Sequence, residues 1–141
     1  MREQGSRERT YTISELAAEF DTSPRAIRYY EERGLLKPRR TAGNQRVYTR
    51  RDRRRLKLIL RGKRLGFSLD EIAEMIGAPD ADMNEAEQIR RSLAHGRARL
   101  EEIARRKAEL AELEQDILAT MERLEAALHR LLEEGDPHEP R

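Results

Sequence analysis

The chain has 141 residues, of which 40% are charged, and its lack of cysteine excludes disulfides, iron–sulfur clusters and thiolate metal sites. Little apolar material remains for a large core, so we expect a small domain joined to a long helix. Residues 1–67 hold 19 lysines and arginines against 8 acidic residues, a balance of +11, whereas residues 68–141 hold 10 against 19, a balance of −9. This segregation predicts a front half that binds a polyanion.

The first predicted helix follows a polar arm. Residues 1–10 lack the apolar segment of a secretory signal, and no run in the chain is apolar enough to cross a membrane. We therefore expect a disordered arm on a cytoplasmic protein. Thr12 and Glu15 form a capping-box pattern, which predicts that a helix begins here. Apolar residues then recur at the spacing of one helix face, at Ile13, Leu16, Ala17 and Phe20.

A second helix is predicted after a tight turn at residues 21–22. Ser23 is suited to cap it, Pro24 to occupy its first position, and Gly34 to end it. Two helices joined by such a turn are typical of a helix-turn-helix domain.

The two faces of this second helix differ in chemistry. Ile27 and Tyr30 fall on the inward side, whereas Arg25, Arg28 and Tyr29 face outward. A basic outward face on the second helix of such a motif suits the DNA major groove.

A hairpin and two further helices complete the predicted domain, which spans residues 11–77. Residues 39–48 contain a Gly43-Asn44 turn followed by alternating side chains, the pattern of a short hairpin or wing. Thr49 with Asp52 predicts the start of a third helix, roughly 50–64, and Ser68 with Glu71 that of a fourth, which ends at Gly77. The inward residues are Leu56, Ile59 and Leu60 on the third helix, and Ile72, Met75 and Ile76 on the fourth. We expect most of the arginines at 50, 51, 53, 54 and 55 to be solvated surface residues, and residues 78–84 to be a linker.

Residues 85–133 predict one long helix with a heptad repeat, followed by a disordered tail at 134–141. The apolar seam consists of Ile89, Leu93, Leu100, Ile103, Leu110, Ile117, Met121, Leu124, Leu128 and Leu131, with Gly96 also on it. Such a repeat over more than five heptads predicts a coiled coil, whose partner is a second copy or another helix. Lys107 and Glu114 interrupt the seam, and polar residues there often fix register or orientation.

These elements resemble the MerR family of bacterial transcription regulators. The matching motifs are YTISELA at 11–17, PRAIRYYEERGLLKP at 24–38, GNQRVYT at 43–49 and LGFSLDEI at 65–72, followed by the single long helix. The resemblance implies a mainly α fold with a winged helix-turn-helix domain. It also implies a homodimer through an antiparallel coiled coil, on a pseudo-palindromic site that is bent and untwisted so that RNA polymerase engages it. Within the family, LILRGKRLGFSL at 58–69 looks most like regulators of branched-chain amino acid and acyl-CoA breakdown.

The resemblance also implies a set of DNA-binding residues. These are Ser23, Arg25, Arg28, Tyr29, Tyr30, Asn44, Arg46 and Lys63. Arginine on a recognition helix reads a guanine edge or a phosphate, and a helix N-terminus presents free amides to a phosphate. For Tyr30 the sequence leaves core packing and phosphate contact equally open, since this residue also lies on the inward stripe.

The chain departs from the metal-sensing members of the family. They place cysteines at both ends of the dimer helix, and this chain has none. The histidines at 95, 129 and 138 are isolated, so we expect no metal site and no cofactor. We find no constellation of catalytic residues in the sequence, so an enzyme is not predicted. Two alternatives remain open, namely an architectural or excisionase-like protein that bends DNA without an effector, and a coiled-coil adaptor.

Overall fold

A computed structural model describes residues 9–81 and 83–135. The elements in chain order are α1 (Ile13–Glu19), α2 (Pro24–Glu32), β1 (Arg39–Arg40), β2 (Arg46–Val47), α3 (Arg50–Arg64), α4 (Leu69–Ile76) and α5 (Glu85–Glu134). The predicted fold class, a winged helix-turn-helix followed by one long helix, is confirmed. The disorder predicted for 1–8 and 136–141, and His138, lie outside the described residues. Within the described ranges, no helix combines the length and apolarity that crossing a membrane requires.

The helix starts follow from their capping residues. The Thr12 hydroxyl oxygen accepts a hydrogen bond of 3.0 Å from the amide of Glu15, whose carboxylate accepts one of 2.9 Å from the amide of Thr12. Reciprocal capping also occurs at Thr49 and at Ser68. Each pair satisfies amides that have no partner within the helix, which fixes where the helix begins. The predicted bounds of α3 are confirmed.

The hydrophobic core lies among α1–α4 and the strand end at Tyr48. Its fully buried side chains are Leu16, Ile27, Tyr48, Leu56, Ile59 and Ile72. The inward faces predicted for the first four helices are therefore confirmed at their central positions. The sequence reading did not place Leu35, Leu36 or Tyr48 in the core, although all three are buried.

The contact between α3 and α4 depends on Gly62. A Cβ atom at this position would lie 2.7 Å from Cγ1 and 2.8 Å from Cδ1 of Ile72, which is itself buried. Only glycine permits this approach, because a closely packed core has no space into which Ile72 could move.

Arg55 is the exception among the arginines at 50–55, most of which were expected at the surface, since it is 3% exposed. Its guanidinium donates to the carbonyl oxygens of Leu35 at 3.0 Å, Ile76 at 3.3 Å and Gly77 at 2.7 Å. Burial lowers the pKa of Arg55 to about 10, so that it remains charged at neutral pH. Arg55 thereby joins the end of α4 to the loop after α2, because its planar fork reaches several carbonyls at once.

The predicted hairpin is present but short. Arg39 pairs with Val47 and Arg40 with Arg46 in an antiparallel register. At the tip, Asn44 rather than Gly43 adopts the left-handed conformation, with φ of 65°. Asparagine tolerates this conformation better than most residues do. An additional bridge between Tyr11 and Tyr48, which the sequence did not predict, joins the wing to the start of α1.

Helix α5 exposes its apolar residues over its whole length. The large apolar side chains of this helix are 42–66% exposed in the single chain, and none is buried. They include every predicted seam residue and, in addition, Leu113, Leu118 and Leu132. The chain forms two compact units that meet at His95 and Gly96, so the first turns of α5 belong to the unit that contains the winged domain.

Candidate nucleic-acid interface

Helix α2 presents a basic outward face. Its Ile27 is fully buried, whereas Arg25 and Arg28 are exposed and Tyr29 is 46% exposed. Neither arginine forms an ion pair with any residue in 9–81 or 83–135. Both guanidinium groups are therefore available to a polyanion, as the sequence reading required.

The N-terminal end of α2 is open to solvent. The exposed Ser23 caps it, and its hydroxyl oxygen accepts a hydrogen bond of 3.0 Å from the amide of Ala26. Pro24 occupies the first position, so one amide that would lack a partner is absent. The amide of Arg25 has no acceptor within the helix and lies at a terminus that favours negative charge.

An acidic residue on α2 fixes the wing. The Glu31 carboxylate accepts a hydrogen bond of 2.7 Å from Nε of Arg46 on β2, and lies 3.6 Å from Nη2 of Arg40 on β1. The hydrogen bond to Glu31 raises the pKa of Arg46. The wing is thus held against the recognition helix by one carboxylate and two arginines. The sequence did not predict these roles for Glu31 and Arg40. The signal that could have found Arg40 is the cross-strand register, which pairs it with Arg46.

The tip of the wing is organised by its own hydrogen bonds. The Thr41 hydroxyl oxygen accepts from the amides of Gly43 and Gln45, at 3.2 and 3.1 Å, and Arg40 donates to the carbonyl of Asn44 at 3.1 Å. The Asn44 side chain is exposed at this tip. A wing with fixed backbone presents Asn44 in one position relative to α2.

The two adjacent tyrosines of α2 differ in environment. Tyr30 is 9% exposed and belongs to the core, and burial raises its pKa. Its ring centroid lies 6.1 Å from that of the more exposed Tyr29. Of the pair, Tyr29 is the residue whose position suits a contact with an external phosphate.

Several basic residues of α3 are used within the domain. Arg53 donates to Glu19 at 3.0 Å, and its guanidinium lies 5.5 Å from the ring centroid of Phe20. Arg51 donates to the carbonyl of Ala81 at 2.9 Å, which ties the linker to α3. Lys63, in the last turn of α3, is exposed and makes no ion pair with the residues the structure describes. Its ammonium group is therefore available to a phosphate outside the winged domain.

His95 and His129 each lie beside one carboxylate. His95 lies with Nε2 3.2 Å from the carboxylate of Glu74 and contacts the ring of Phe67 edge-on, which links α4 to the start of α5. His129 is exposed and pairs with Glu133 within α5. Across the described part of the chain, no group of three or more histidines and carboxylates is placed to hold a metal ion.

A basic helix with a wing fixed beside it is the geometry of a winged helix-turn-helix DNA-binding protein. Comparison with known proteins agrees. Residues 11–78 match the family described as "MerR HTH family regulatory protein", and residues 53–133 match "MerR, DNA binding".

Similar proteins cover most of this chain. It is 35% identical over 112 residues to the "HTH-type transcriptional regulator ZntR homolog" of Haemophilus influenzae, covering 79% of this chain and 81% of that protein. It is 34% identical over 108 residues to the "HTH-type transcriptional regulator ZntR" of Escherichia coli K12, covering 76% of this chain and 75% of that protein. A crystal structure of a MerR family regulator from Bacillus cereus superimposes with a TM-score of 0.51 at 31% identity, over 94% of this chain and 87% of that one. This chain therefore belongs to the MerR family of DNA-binding transcriptional regulators.

Proposed function

We propose that the protein is a homodimeric, sequence-specific regulator that binds a pseudo-palindromic promoter site. The observation that carries the proposal is the outward face of α2, where Arg25 and Arg28 are unpaired while Glu31 holds the wing beside them. A recognition helix and a wing in fixed relation contact two neighbouring stretches of one DNA duplex.

On the DNA, Arg28 and Arg25 would enter the major groove. Tyr29 and the N-terminal end of α2 at Ser23 would contact phosphates. The Glu31 contact uses Nε of Arg46 and leaves its terminal nitrogens for a backbone phosphate beside the exposed Asn44. Lys63 would add a further phosphate contact. Tyr30, which is buried, would act by supporting this face rather than by reaching DNA.

The dimer would form through α5. A 50-residue helix that exposes a continuous leucine and isoleucine stripe cannot bury that stripe within one chain. Burying each such side chain contributes roughly 1.5–3 kcal/mol, so a second copy that covers the seam yields a large stabilisation.

The two charged seam positions favour an antiparallel arrangement. Lys107 and Glu114 lie three residues before and four after Leu110, the midpoint of the seam from Ile89 to Leu131. When the two seams overlap along their full length in opposite directions, Lys107 lies within about one helical turn, ~5.4 Å, of Glu114 of the partner subunit. In a parallel pair each charge would instead face its own copy, which is repulsive.

A two-fold dimer implies a site with matching half-sites, since its symmetry axis relates the two recognition helices. Bending and untwisting of the promoter so that RNA polymerase engages it follow from family membership alone. So does control of amino acid or acyl-CoA catabolism, which rests on residues 58–69. We propose both on that basis, with the protein located in the cytoplasm.

Footprinting on the DNA upstream of the protein's own gene, followed by fluorescence anisotropy, tests the proposal. At physiological salt a regulator should prefer its operator over random DNA by roughly 10³-fold or more. A ratio near one would contradict it and favour an architectural protein that bends DNA. Leu110→Asp with Leu124→Asp should give monomers in sedimentation experiments and abolish operator binding. A monomeric variant that still bound the operator tightly would exclude the dimer as the active form.

A further inference from the structure

The C-terminal end of α4 receives side chains from two other helices. The last turn of an α-helix leaves carbonyl oxygens without amide partners, so this end offers free acceptors. Arg55 of α3 donates to the carbonyls of Ile76 at 3.3 Å and Gly77 at 2.7 Å. The first turns of α5 supply further donors, and none of these belongs to the DNA-binding face of α2 and the wing.

Three side chains on one side of α5 contact α4. Nε2 of Gln88 donates a hydrogen bond of 3.0 Å to the carbonyl of Ile76, and Nη1 of Arg91 donates one of 3.0 Å to the carbonyl of Glu74. Nε2 of His95 lies 3.2 Å from the carboxylate of Glu74. Spacings of three and then four residues place all three side chains on the same side of a helix. The start of α5 is therefore attached to α4 at three points along about 10 Å.

Arg91 is oriented by its own helix. Its Nε donates to the carboxylate of Glu87 at 3.1 Å, and the Asn84 side chain accepts a hydrogen bond of 2.8 Å from the Glu87 amide. The planar guanidinium donates in a second direction, which lets it reach α4 at the same time. The neighbouring Arg90 also pairs with Glu87, at 3.4 Å, but forms no hydrogen bond or ion pair with α4 in the described part of the chain. Arg90 is therefore a matched comparison for Arg91.

The segment between α4 and α5 adds to this attachment. Arg51 of α3 donates to the carbonyl of Ala81 at 2.9 Å. A Cβ atom at Gly77 would lie 2.7 Å from Cε of Met83, so the Met83 side chain packs directly on the end of α4. Several contacts thus set the direction in which α5 leaves the winged domain.

We infer that Gln88 and Arg91 are positioning residues that set the half-site spacing the dimer accepts. The inference rests on the homodimer proposed above. Helix α5 runs from Glu85 to Glu134 as one element, so the turns that carry these two residues also begin the dimer helix. In a two-fold dimer the angle between α5 and each winged domain determines the separation of the two recognition helices. Gln88 and Arg91 hold that angle through their hydrogen bonds to the carbonyls of α4.

Small changes in half-site spacing on DNA test this separation. Each base pair added between the half-sites moves one of them by about 3.4 Å along the duplex and about 35° around it. Winged domains held at one separation fit one spacing and reject its neighbours, whereas domains that turn on α5 accept several. The contacts at the end of α4 would thus contribute specificity for spacing, while α2 reads each half-site.

Operators of altered spacing test the inference on the full-length protein. The operator is located by footprinting, and fluorescence anisotropy measures its affinity with one or two base pairs inserted or deleted at its centre. Gln88→Met with Arg91→Met should reduce the preference for the native spacing over a one-base-pair change roughly threefold to tenfold, because two hydrogen bonds are lost. Using this ratio cancels a uniform loss of affinity for DNA. Arg91→Lys, which keeps a donor for the carbonyl, should retain most of the preference.

The control is Arg90→Met, which removes the same charge from the neighbouring residue and should leave the spacing preference unchanged. A Gln88→Met, Arg91→Met variant with the wild-type preference would overturn the inference, and so would an equal loss in Arg90→Met. A wild-type protein that binds every spacing equally would refute the proposed dimeric function as well.

Spin labelling supplies a second test that needs no DNA. The chain has no cysteine, so Glu32→Cys, at an exposed position, provides the single labelling site of each chain. Double electron–electron resonance then measures the distances between the two winged domains of the dimer. The distance distribution should be broader with Gln88→Met and Arg91→Met than without them, and unchanged with Arg90→Met. Equal widths in all three proteins would refute the inference while leaving the dimer intact, whereas a monomeric labelled protein would refute the proposed function.

Discussion

Glu31 on the recognition helix accepts a hydrogen bond of 2.7 Å from Nε of Arg46 on the wing. The same carboxylate lies 3.6 Å from Arg40 on the opposite strand. A hairpin with two residues per strand has little stability of its own. Its position relative to α2 therefore depends on this contact and on the bridge from Tyr11 to Tyr48.

Glu31→Gln should lower the preference for operator over random DNA by roughly threefold to tenfold, the range expected for a partly exposed charged hydrogen bond. Without the carboxylate the wing loses its ionic contact with α2. Removal of one negative charge also makes the protein more positive, which strengthens binding to DNA of any sequence. Anisotropy titrations on both DNAs measure the ratio. Glu32→Gln is the matched control, since this exposed neighbour makes the same charge change without an ion pair to the described residues. Equal effects from both substitutions would mean that charge alone, and not wing position, is responsible.

Arg28→Ala should weaken operator binding by at least ~1–3 kcal/mol, because a bidentate arginine contact to a base is lost. Arg46→Ala should weaken binding on all sequences and lower the salt slope by about one, as expected for a phosphate contact. It should also lower the operator preference as Glu31→Gln does, because it breaks the same attachment of the wing. Affinities measured across a salt series separate the two effects. If neither substitution changes affinity while both proteins remain folded by circular dichroism, the docking of α2 is wrong.

Lys107→Glu should weaken the dimer roughly tenfold or more, since it places two carboxylates within reach of each other at both symmetry-related positions. Glu114→Lys should do the same, and the double exchange should recover most of the affinity. Sedimentation equilibrium of the three variants measures this. Single variants that dimerise as tightly as the wild type would indicate parallel helices instead, because each substitution there only replaces one like-charge pair with another.

Gly62→Ala should destabilise the winged domain by about 1–3 kcal/mol, because the new Cβ overlaps the buried Ile72. Gly43→Ala is the control, since a Cβ there would meet only the Thr41 hydroxyl oxygen, at 3.8 Å, an ordinary van der Waals distance. Stability should then stay within about 0.5 kcal/mol of the wild type. Urea unfolding separates the two outcomes, and an undiminished stability of Gly62→Ala would show that α3 and α4 are not so close.

Tyr48→Phe should keep or raise stability, because the buried Tyr48 hydroxyl has no hydrogen-bond partner within the described residues. Burial raises the pKa of Tyr48 to about 12, above the ordinary value of 10. Because the pKa is higher in the folded than in the unfolded state, the neutral tyrosine contributes to the stability of the fold below pH 10, and this contribution is lost as pH rises through 12. The wild type should therefore lose stability relative to Tyr48→Phe between these values. Ultraviolet titration of tyrosinate should show a late component that the variant lacks, and its persistence in the variant would assign it elsewhere.

The sequence by itself determined the helices and their order. Capping pairs such as Thr49 with Asp52 act over three residues, and apolar spacing repeats within one helix, so both are legible without tertiary contacts. The heptad stripe likewise predicted one long helix over residues 85–133, and α5 spans Glu85–Glu134. The outward position of Arg25 and Arg28 followed from the same periodicity.

Only the tertiary structure decided which arginines are free and which are structural. Arg54 and Arg55 are neighbours in one basic run, yet Arg54 is exposed while Arg55 is buried among three carbonyl oxygens. Those carbonyls belong to residues 20 to 22 positions away from Arg55 along the chain, and Glu31 and Arg46 are 15 positions apart. Local periodicity carries no information on such separations, because they are set by how α2, α3, α4 and the wing pack around one core.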